Sequence, residues 1–273
     1  MGLGSEGSAA SNGTDPPEPP FAMALNSSHP VIVADGLGKR FGDVIAVDSM
    51  SFQVRPGETV ALLGGNGAGK TTTMAMLLGL LTPSAGQVRI FGADMVHDRY
   101  KVLARMNFSS PYVDLPRRLT PRENLTVYGH LYGVRSVAAR VETLVRDMEM
   151  EAFVDRPMGT LSAGQDTRVA LAKALMNSPE VLLLDEPTAS LDPETGDRMR
   201  GYLEGYRAET RAAILLASHN MAEVERICDR VLMMRDGKIV DAGSPSALIG
   251  KYGRENLEEV FLHIARDGEV MGE

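Results

Sequence analysis

The stretch GGNGAGKTT, from Gly64 to Thr72, is the most informative about the fold of this chain of 273 residues. It follows an apolar run, Thr59 to Leu63, that is typical of a buried strand, and it precedes Thr73 to Leu78, which is typical of a helix. A strand, this loop and a helix match the pattern G-x-x-x-x-G-K-[ST] in the context it requires. Glycines let backbone N–H groups curl around phosphate oxygens, and the helix N-terminus adds unpaired donors. We therefore predict a phosphate-binding loop made of Gly64, Gly65, Asn66, Gly67, Ala68, Gly69, Lys70, Thr71 and Thr72.

Two side chains at the end of this loop suit a nucleoside triphosphate bound with Mg²⁺. Lys70 supplies a point charge for the β- and γ-phosphates, and the hydroxyl of Thr71 can ligate the metal. A glycine-rich turn that happens to carry a lysine is the alternative on this motif alone.

A second informative stretch, Val181 to Pro187, is an apolar run that ends in two adjacent carboxylates. Four apolar residues in a row predict a buried parallel strand. A charge at the end of such a strand is costly unless a cation lies beside it. We expect Asp185 to hold Mg²⁺ opposite Thr71, and Glu186 to act as general base for a water that attacks the γ-phosphate. The alternative is an acidic surface loop.

Two single residues are weaker candidates. His219 follows the apolar strand Ala213 to Ala217, and open α/β sheets place their ligands at the carboxyl ends of strands. A lone histidine is nevertheless more often structural than catalytic. Phe41 precedes the loop and could stack on adenine if it is exposed; ordinary core packing is the alternative.

Helical patterns interrupt the α/β pattern in the middle of the chain. Thr120 to Glu123 forms a capping box with Pro121 at the first helical position, and a second helical pattern begins at Ser136. Further on, Ser162 in the run LSAGQ is a predicted N-cap, so that the next helix offers an anion site or simply a cap. Asn220 with Glu223 predicts another capping box.

Composition and charge limit the possible functions. The formal net charge is −8 and no basic patch is present, which argues against a nucleic-acid partner. The lone cysteine, Cys228, suits a reducing cytoplasm. No segment approaches the ~18–20 apolar residues that span a bilayer. Residues 1–30 are rich in Gly, Ser and Pro and predict a disordered N-terminal extension.

Taken together, these motifs resemble the ATP-binding subunit of an ABC (ATP-binding cassette) transporter over about residues 31–250. The run LLLDEPTASLD, ending at Asp192, and the LSxGQ signature are the most specific matches. The resemblance implies an α/β fold, with a RecA-like P-loop NTPase core of mostly parallel strands, an antiparallel β part and an α-helical subdomain inserted at about residues 112–165. Residues 251–273 would form a C-terminal helix or tail.

The same resemblance implies roles for the site residues and for a second subunit. Phe41 corresponds to the adenine-stacking aromatic, His219 to the histidine that contacts the γ-phosphate, and Asp192 to the D-loop aspartate. Two subunits, as a homodimer or a heterodimer, would pair head to tail, and each would close on the ATP of the other with its signature residues Ser162, Ala163, Gly164 and Gln165. ATP and Mg²⁺ are the implied cofactors.

Two positions depart from the family pattern. Ala163 replaces the commoner glycine of the signature, and a methyl group is small enough that we expect little effect. Pro111 stands where the family has a glutamine that senses Mg²⁺ and the lytic water. We therefore expect slow basal hydrolysis with unimpaired ATP binding.

The run Leu257 to Leu262 resembles the ending of type-2 ABC export ATPases. We therefore predict an ATPase that powers export from the cytoplasmic face of the membrane, bound there through a separate transmembrane permease subunit. An importer ATPase and a soluble ABC ATPase that does not act in transport are the alternatives.

Overall fold

The computed structural model describes residues 29–111 and 114–269. In this part of the chain the strands are β1 (Ile32–Phe41), β2 (Val44–Val54), β3 (Thr59–Gly64), β4 (Ala85–Ile90), β5 (Ala93–Asp94), β6 (Met106–Ser109), β7 (Val181–Asp185), β8 (Ala213–Ala217), β9 (Arg230–Arg235) and β10 (Lys238–Gly243). The helices are α1 (Lys70–Leu77), α2 (Pro121–Leu131), α3 (Val137–Asp147), α4 (Ala163–Leu175), α5 (Pro193–Thr210), α6 (Met221–Ile227), α7 (Pro245–Tyr252) and α8 (Leu257–Glu269). The expectation for residues 1–30 falls almost entirely outside the described residues, as do residues 112–113 and 270–273.

A six-stranded sheet forms the centre, in the order β10-β9-β3-β8-β7-β6. All of its neighbouring pairs are parallel except β9 with β10, which form an antiparallel hairpin. A second, antiparallel sheet has the order β2-β1-β4-β5. The predicted combination of a mostly parallel core with an antiparallel part is confirmed.

The central strands are buried on both faces, as their unbroken apolar runs predict. Alternate residues of each strand enter different clusters: on β3, Ala61 and Leu63 pack with the helices α2 to α8, whereas Val60 and Leu62 pack with α1 and the antiparallel sheet. The sheet is thus covered on both sides. Its carboxyl-terminal edge, where β3, β7 and β8 end, carries the predicted site.

Local sequence signals correctly predicted the turn between β9 and β10 and the start of α2. Asp236 and Gly237 have positive φ angles of 50° and 74° and connect β9 to β10, as the Asp-Gly pair predicts. The capping box of Thr120 and Glu123 at the start of α2 is also confirmed.

Three local expectations were wrong. The run TPSAG, from Thr82 to Gly86, predicts a turn, but β4 already begins at Ala85, which pairs with Gly38 of β1. The cap signal at Asn220 predicts a helix that contains Cys228, but this helix, α6, ends one residue before it, at Ile227. Glu223 does not complete a capping box with Asn220, because the N–H of Asn220 donates to Ser218 Oγ instead.

The described residues include no helix that is both long and apolar enough to cross a membrane.

Candidate functional site

The loop after β3 has the backbone that a phosphate cradle needs. Gly69 is the N-cap of α1 with a φ of 98°, a left-handed conformation that favours glycine. A Cβ atom at this position would lie 2.5 Å from the carbonyl oxygen of Ala46 on β2. The predicted order of strand, loop and helix is confirmed, and the close approach of β2 explains why a side chain cannot replace this glycine.

Lys70, the first residue of α1, folds back over the loop. Its Nζ donates to the carbonyl oxygens of Gly64 at 2.6 Å and Gly65 at 3.1 Å. Burial lowers the pKa of Lys70, while the carboxylates of Glu186 and Asp185 oppose this change. The loop, its cation and the two carboxylates predicted from the sequence therefore lie together.

Asp185, the last residue of β7, is only 7% exposed. Burial raises the pKa of its carboxyl group, and the hydrogen bond from Ser110 opposes this shift. Ser110 Oγ donates to Asp185 Oδ2 over 3.2 Å. The residue beside Pro111 therefore contacts the predicted metal-binding carboxylate, although Ser110 carried no recognised signal of its own.

Glu186 and His219 form a pair at the ends of neighbouring strands. Glu186 has a positive φ of 50°, and its N–H donates to the carbonyl oxygen of Ala217, the last residue of β8, at 2.8 Å. His219 Nδ1 lies 2.6 Å from Glu186 Oε1, and the histidine side chain is 72% exposed. The structure thus brings together two residues predicted from separate stretches.

A cavity of about 700 Å³ lies over this group. Its lining includes Gly65, Lys70, Glu186 and His219, and also three residues of α8, namely Glu258, Phe261 and Leu262. The α8 residues were not predicted to lie at the site. Leu257, Val260, Phe261 and Ile264 predict an apolar stripe on this helix, but only the packing of Leu257 and Val260 into the core reveals which side of the molecule the stripe covers.

Phe41 ends β1 and is not among the residues that line this cavity. Its side chain is 49% exposed, and the ammonium group of Lys39 lies 5.1 Å from the ring centroid. The alternative of core packing is therefore wrong, and the ring is accessible to a ligand.

The signature segment begins α4 and faces a different cavity. Ser162 and Gln165 form a reciprocal capping box, as the cap interpretation predicts. Ala163 lines this second cavity together with Ser110 and Pro111. A Cβ at Gly164 would lie 3.0 Å from the carbonyl oxygen of Ser190, so this position accommodates the loop that leads to Asp192.

Asp192 begins α5 as its N-cap. Its side chain accepts a hydrogen bond from the N–H of Thr195 at 3.0 Å, and this bond lowers the pKa of the carboxyl group.

Comparison with known proteins supports the same interpretation. The family model described as "ABC transporter" matches residues 47–189. A protein named Nod factor export ATP-binding protein I from Burkholderia lata is 41% identical over 248 residues, which cover 86% of this chain and 81% of the relative.

Solved structures agree with this likeness. One described as the ATP-binding subunit of an ABC transporter has a TM-score of 0.79 and 26% identity, covering 86% of this chain and 99% of that one. Another, described as the dimeric structure of a bacterial ABC transporter cassette, has a TM-score of 0.71 and 25% identity, covering 78% and 98%. The likeness to both extends through nearly the whole of each solved chain.

Proposed function

The chain belongs to the ABC transporter family as an ATP-binding, ATP-hydrolysing subunit, and from this premise we propose that it powers export through a separate transmembrane permease. The observation that carries the proposal is the cavity in which the phosphate loop, Lys70 and the Glu186–His219 pair face one another. Export, rather than import, is supported by the names of the relatives and by the run Leu257 to Leu262.

ATP would bind with its phosphates in the loop from Gly64 to Thr72. Backbone N–H groups and the N-terminus of α1 would contact the phosphate oxygens, and Lys70 would exchange its two carbonyl acceptors for them. Phe41 would then stack on the adenine.

The donors at the site fit Mg²⁺. Asp185 is a buried carboxylate beside Lys70, and the Thr71 hydroxyl is exposed at the start of α1. Among the described residues no cluster of three or more His, Cys, Asp or Glu side chains could hold a metal alone. Mg²⁺ commonly takes one or two protein ligands and completes its shell with phosphates and water. Asp185 and Thr71 would hold the ion, which would neutralise charge on the β- and γ-phosphates.

Glu186 would act as the general base. Its carboxylate borders the cavity beside Lys70, where a water in line with the γ-phosphate would lie. His219 contacts Glu186 at 2.6 Å and would orient it, while its exposed ring would contact the γ-phosphate. This chemistry needs only positioning, one proton acceptor and charge neutralisation.

A second subunit would complete the site. The exposed N-terminus of α4, with Ser162 and Ala163, offers N–H donors beside a cavity whose lining includes no residue of the chain's own phosphate loop. Head-to-tail pairing would bring these donors onto the ATP of the partner. The partner would be a second copy of this chain or another ABC ATPase subunit.

The export assignment can be tested by isolating a polytopic membrane protein that co-purifies with this chain and reconstituting the two together. We expect the complex to hydrolyse ATP faster than the subunit alone, and inside-out vesicles to take up cargo in an ATP-dependent way. ATP-dependent movement in the opposite direction would favour the importer, and a failure to co-purify with any polytopic membrane protein would favour the soluble alternative.

Replacement of Phe41 tests its proposed contact with adenine. Stacking contributes about 0.5–1.5 kcal/mol beyond burial, which corresponds to roughly three- to tenfold in affinity. We expect Phe41→Ala to weaken ATP binding by this factor and Phe41→Tyr, the matched control, to leave it nearly unchanged. Equal affinities for two folded variants, measured by titration with a fluorescent ATP analogue, would remove Phe41 from the site.

A further inference from the structure

Glu223 is a buried carboxylate in the first turn of α6, only 1% exposed. The sequence predicts a capping box, and half of that box is present, because Asn220 Oδ1 accepts from the N–H of Glu223 at 3.2 Å. The return bond is absent: the N–H of Asn220 donates to Ser218 Oγ at 3.1 Å instead. The carboxylate of Glu223 is therefore used elsewhere.

Both oxygens of this carboxylate accept hydroxyl hydrogen bonds from other segments. Thr188 Oγ1 donates to Oε1 at 2.7 Å, and Ser218 Oγ donates to Oε2 at 2.8 Å. Both hydroxyl residues are buried, with 5% and 0% exposure. Burial raises the pKa of Glu223, and the two hydroxyl donors oppose this shift.

The two donors flank the proposed catalytic pair. Thr188 lies two residues after Glu186 on the loop that follows β7, and Ser218 lies immediately before His219 at the end of β8. The 2.6 Å contact between Glu186 and His219 spans the same two segments. The buried carboxylate of Glu223 therefore links the two segments whose side chains, Glu186 and His219, meet in the cavity.

The geometry points to Glu223 as a positioning residue for hydrolysis. Its carboxylate fixes the loop after Glu186 against the end of β8, just before His219, and so maintains the contact between Glu186 and His219. The inference rests on the roles proposed above for Glu186 and His219. Glu223 itself is buried and does not line the cavity, so it would touch neither ATP nor the attacking water.

The carboxylate suits this task better than its neutral isostere. An ionised carboxylate accepts at both oxygens, whereas an amide has one accepting oxygen and one donating nitrogen. In a Glu223→Gln variant, one of the two hydroxyls must turn its hydrogen away and accept from the amide. Where Ser218 is that hydroxyl, it loses its donation to residue 223 and accepts both from the amide and from the N–H of Asn220, which changes the hydrogen bonding of the segment on which His219 lies.

The experiment compares four single variants of the full-length chain with the wild type: Glu223→Gln, Thr188→Val, Ser218→Ala and, as matched control, Glu123→Gln. Glu123 completes a genuine capping box on α2, away from the cavity. Thermal unfolding, titration with MgATP, and kcat and KM for hydrolysis are measured for each.

We expect Glu223→Gln to lower kcat by about tenfold, while KM and MgATP affinity stay within about twofold, since an interaction that positions only the reacting groups affects turnover rather than uniform binding. Thr188→Val and Ser218→Ala should each lower kcat by a smaller factor. Because these residues share one carboxylate, combining Ser218→Ala with Glu223→Gln should cost less than the product of the two single effects. Glu123→Gln should leave kcat unchanged.

Several results would overturn the inference. They are an unchanged kcat in Glu223→Gln, an equal fall in Glu123→Gln, a parallel loss of MgATP affinity, or fully multiplicative effects in the double variant. If Glu223→Gln does not fold, Thr188→Val and Ser218→Ala decide by the same criteria.

A Glu186→Gln variant separates this inference from the proposed function. Full activity in Glu186→Gln would overturn the catalytic pair and the positioning role with it. An inactive Glu186→Gln beside an unaltered Glu223→Gln would overturn the positioning role alone.

Discussion

Replacing Lys70 with alanine is expected to abolish measurable MgATP binding while the chain stays folded. In the structure the ammonium group donates to the carbonyl oxygens of Gly64 and Gly65, and exchanging them for phosphate oxygens creates charge-assisted hydrogen bonds. Each such bond contributes ~1.5–3 kcal/mol, so the loss of two corresponds to roughly a hundredfold or more in affinity. Titration with a fluorescent ATP analogue measures the effect.

The matched control is Lys101→Ala. Lys101 forms an exposed ion pair with Asp98, and its side chain is 71% exposed. Since this residue lies outside the cavity, the control should bind MgATP like the wild type. Unchanged affinity in a folded Lys70→Ala variant would refute the assignment of the phosphate site.

The features that the sequence predicted well are those in which neighbouring residues determine the structure. The loop between β3 and α1 combines a buried apolar strand with glycines that permit positive φ, and the capping box of Thr120 and Glu123 closes within one helical turn. In each case the chemistry and the partner lie within a few residues. For Asp185 and Glu186, the costly placement of charge at the end of a buried strand provided the signal.

The features that were missed depend on contacts between distant segments. Thr188 and Glu223 are 35 residues apart, and the spacing of Asn220 and Glu223 alone favoured a local cap over this bond. Similarly, the apolar stripe of α8 predicted burial but not which surface it would cover. In both cases several partners would satisfy the same local sequence pattern, and packing between distant segments determines which one is used. The periodicity of the sequence contains no information about which distant segment that is.

Replacing Glu186 with glutamine is expected to preserve ATP binding and to remove turnover. The amide keeps the shape of the side chain and can still accept a hydrogen bond from His219, 2.6 Å away in the wild type, but it cannot take a proton from the attacking water. General base catalysis typically contributes about 10²–10⁴-fold, so kcat should fall by that factor with little change in MgATP affinity. Steady-state ATPase assays and MgATP titration measure the two quantities.

The same variant tests whether ATP joins two subunits. If the exposed N-terminus of α4 closes on the partner's ATP, a subunit that binds without hydrolysing should accumulate as a dimer in excess MgATP, visible by sedimentation velocity. Glu194→Gln is the matched control, because it replaces a glutamate with glutamine at a surface position. The side chain of Glu194 is 82% exposed and pairs with Arg198. This control should turn over ATP and remain mostly monomeric. A purely monomeric Glu186→Gln variant would mean that ATP does not hold two copies of this chain together, and the head-to-tail pair would then require a different ATPase subunit or the permease.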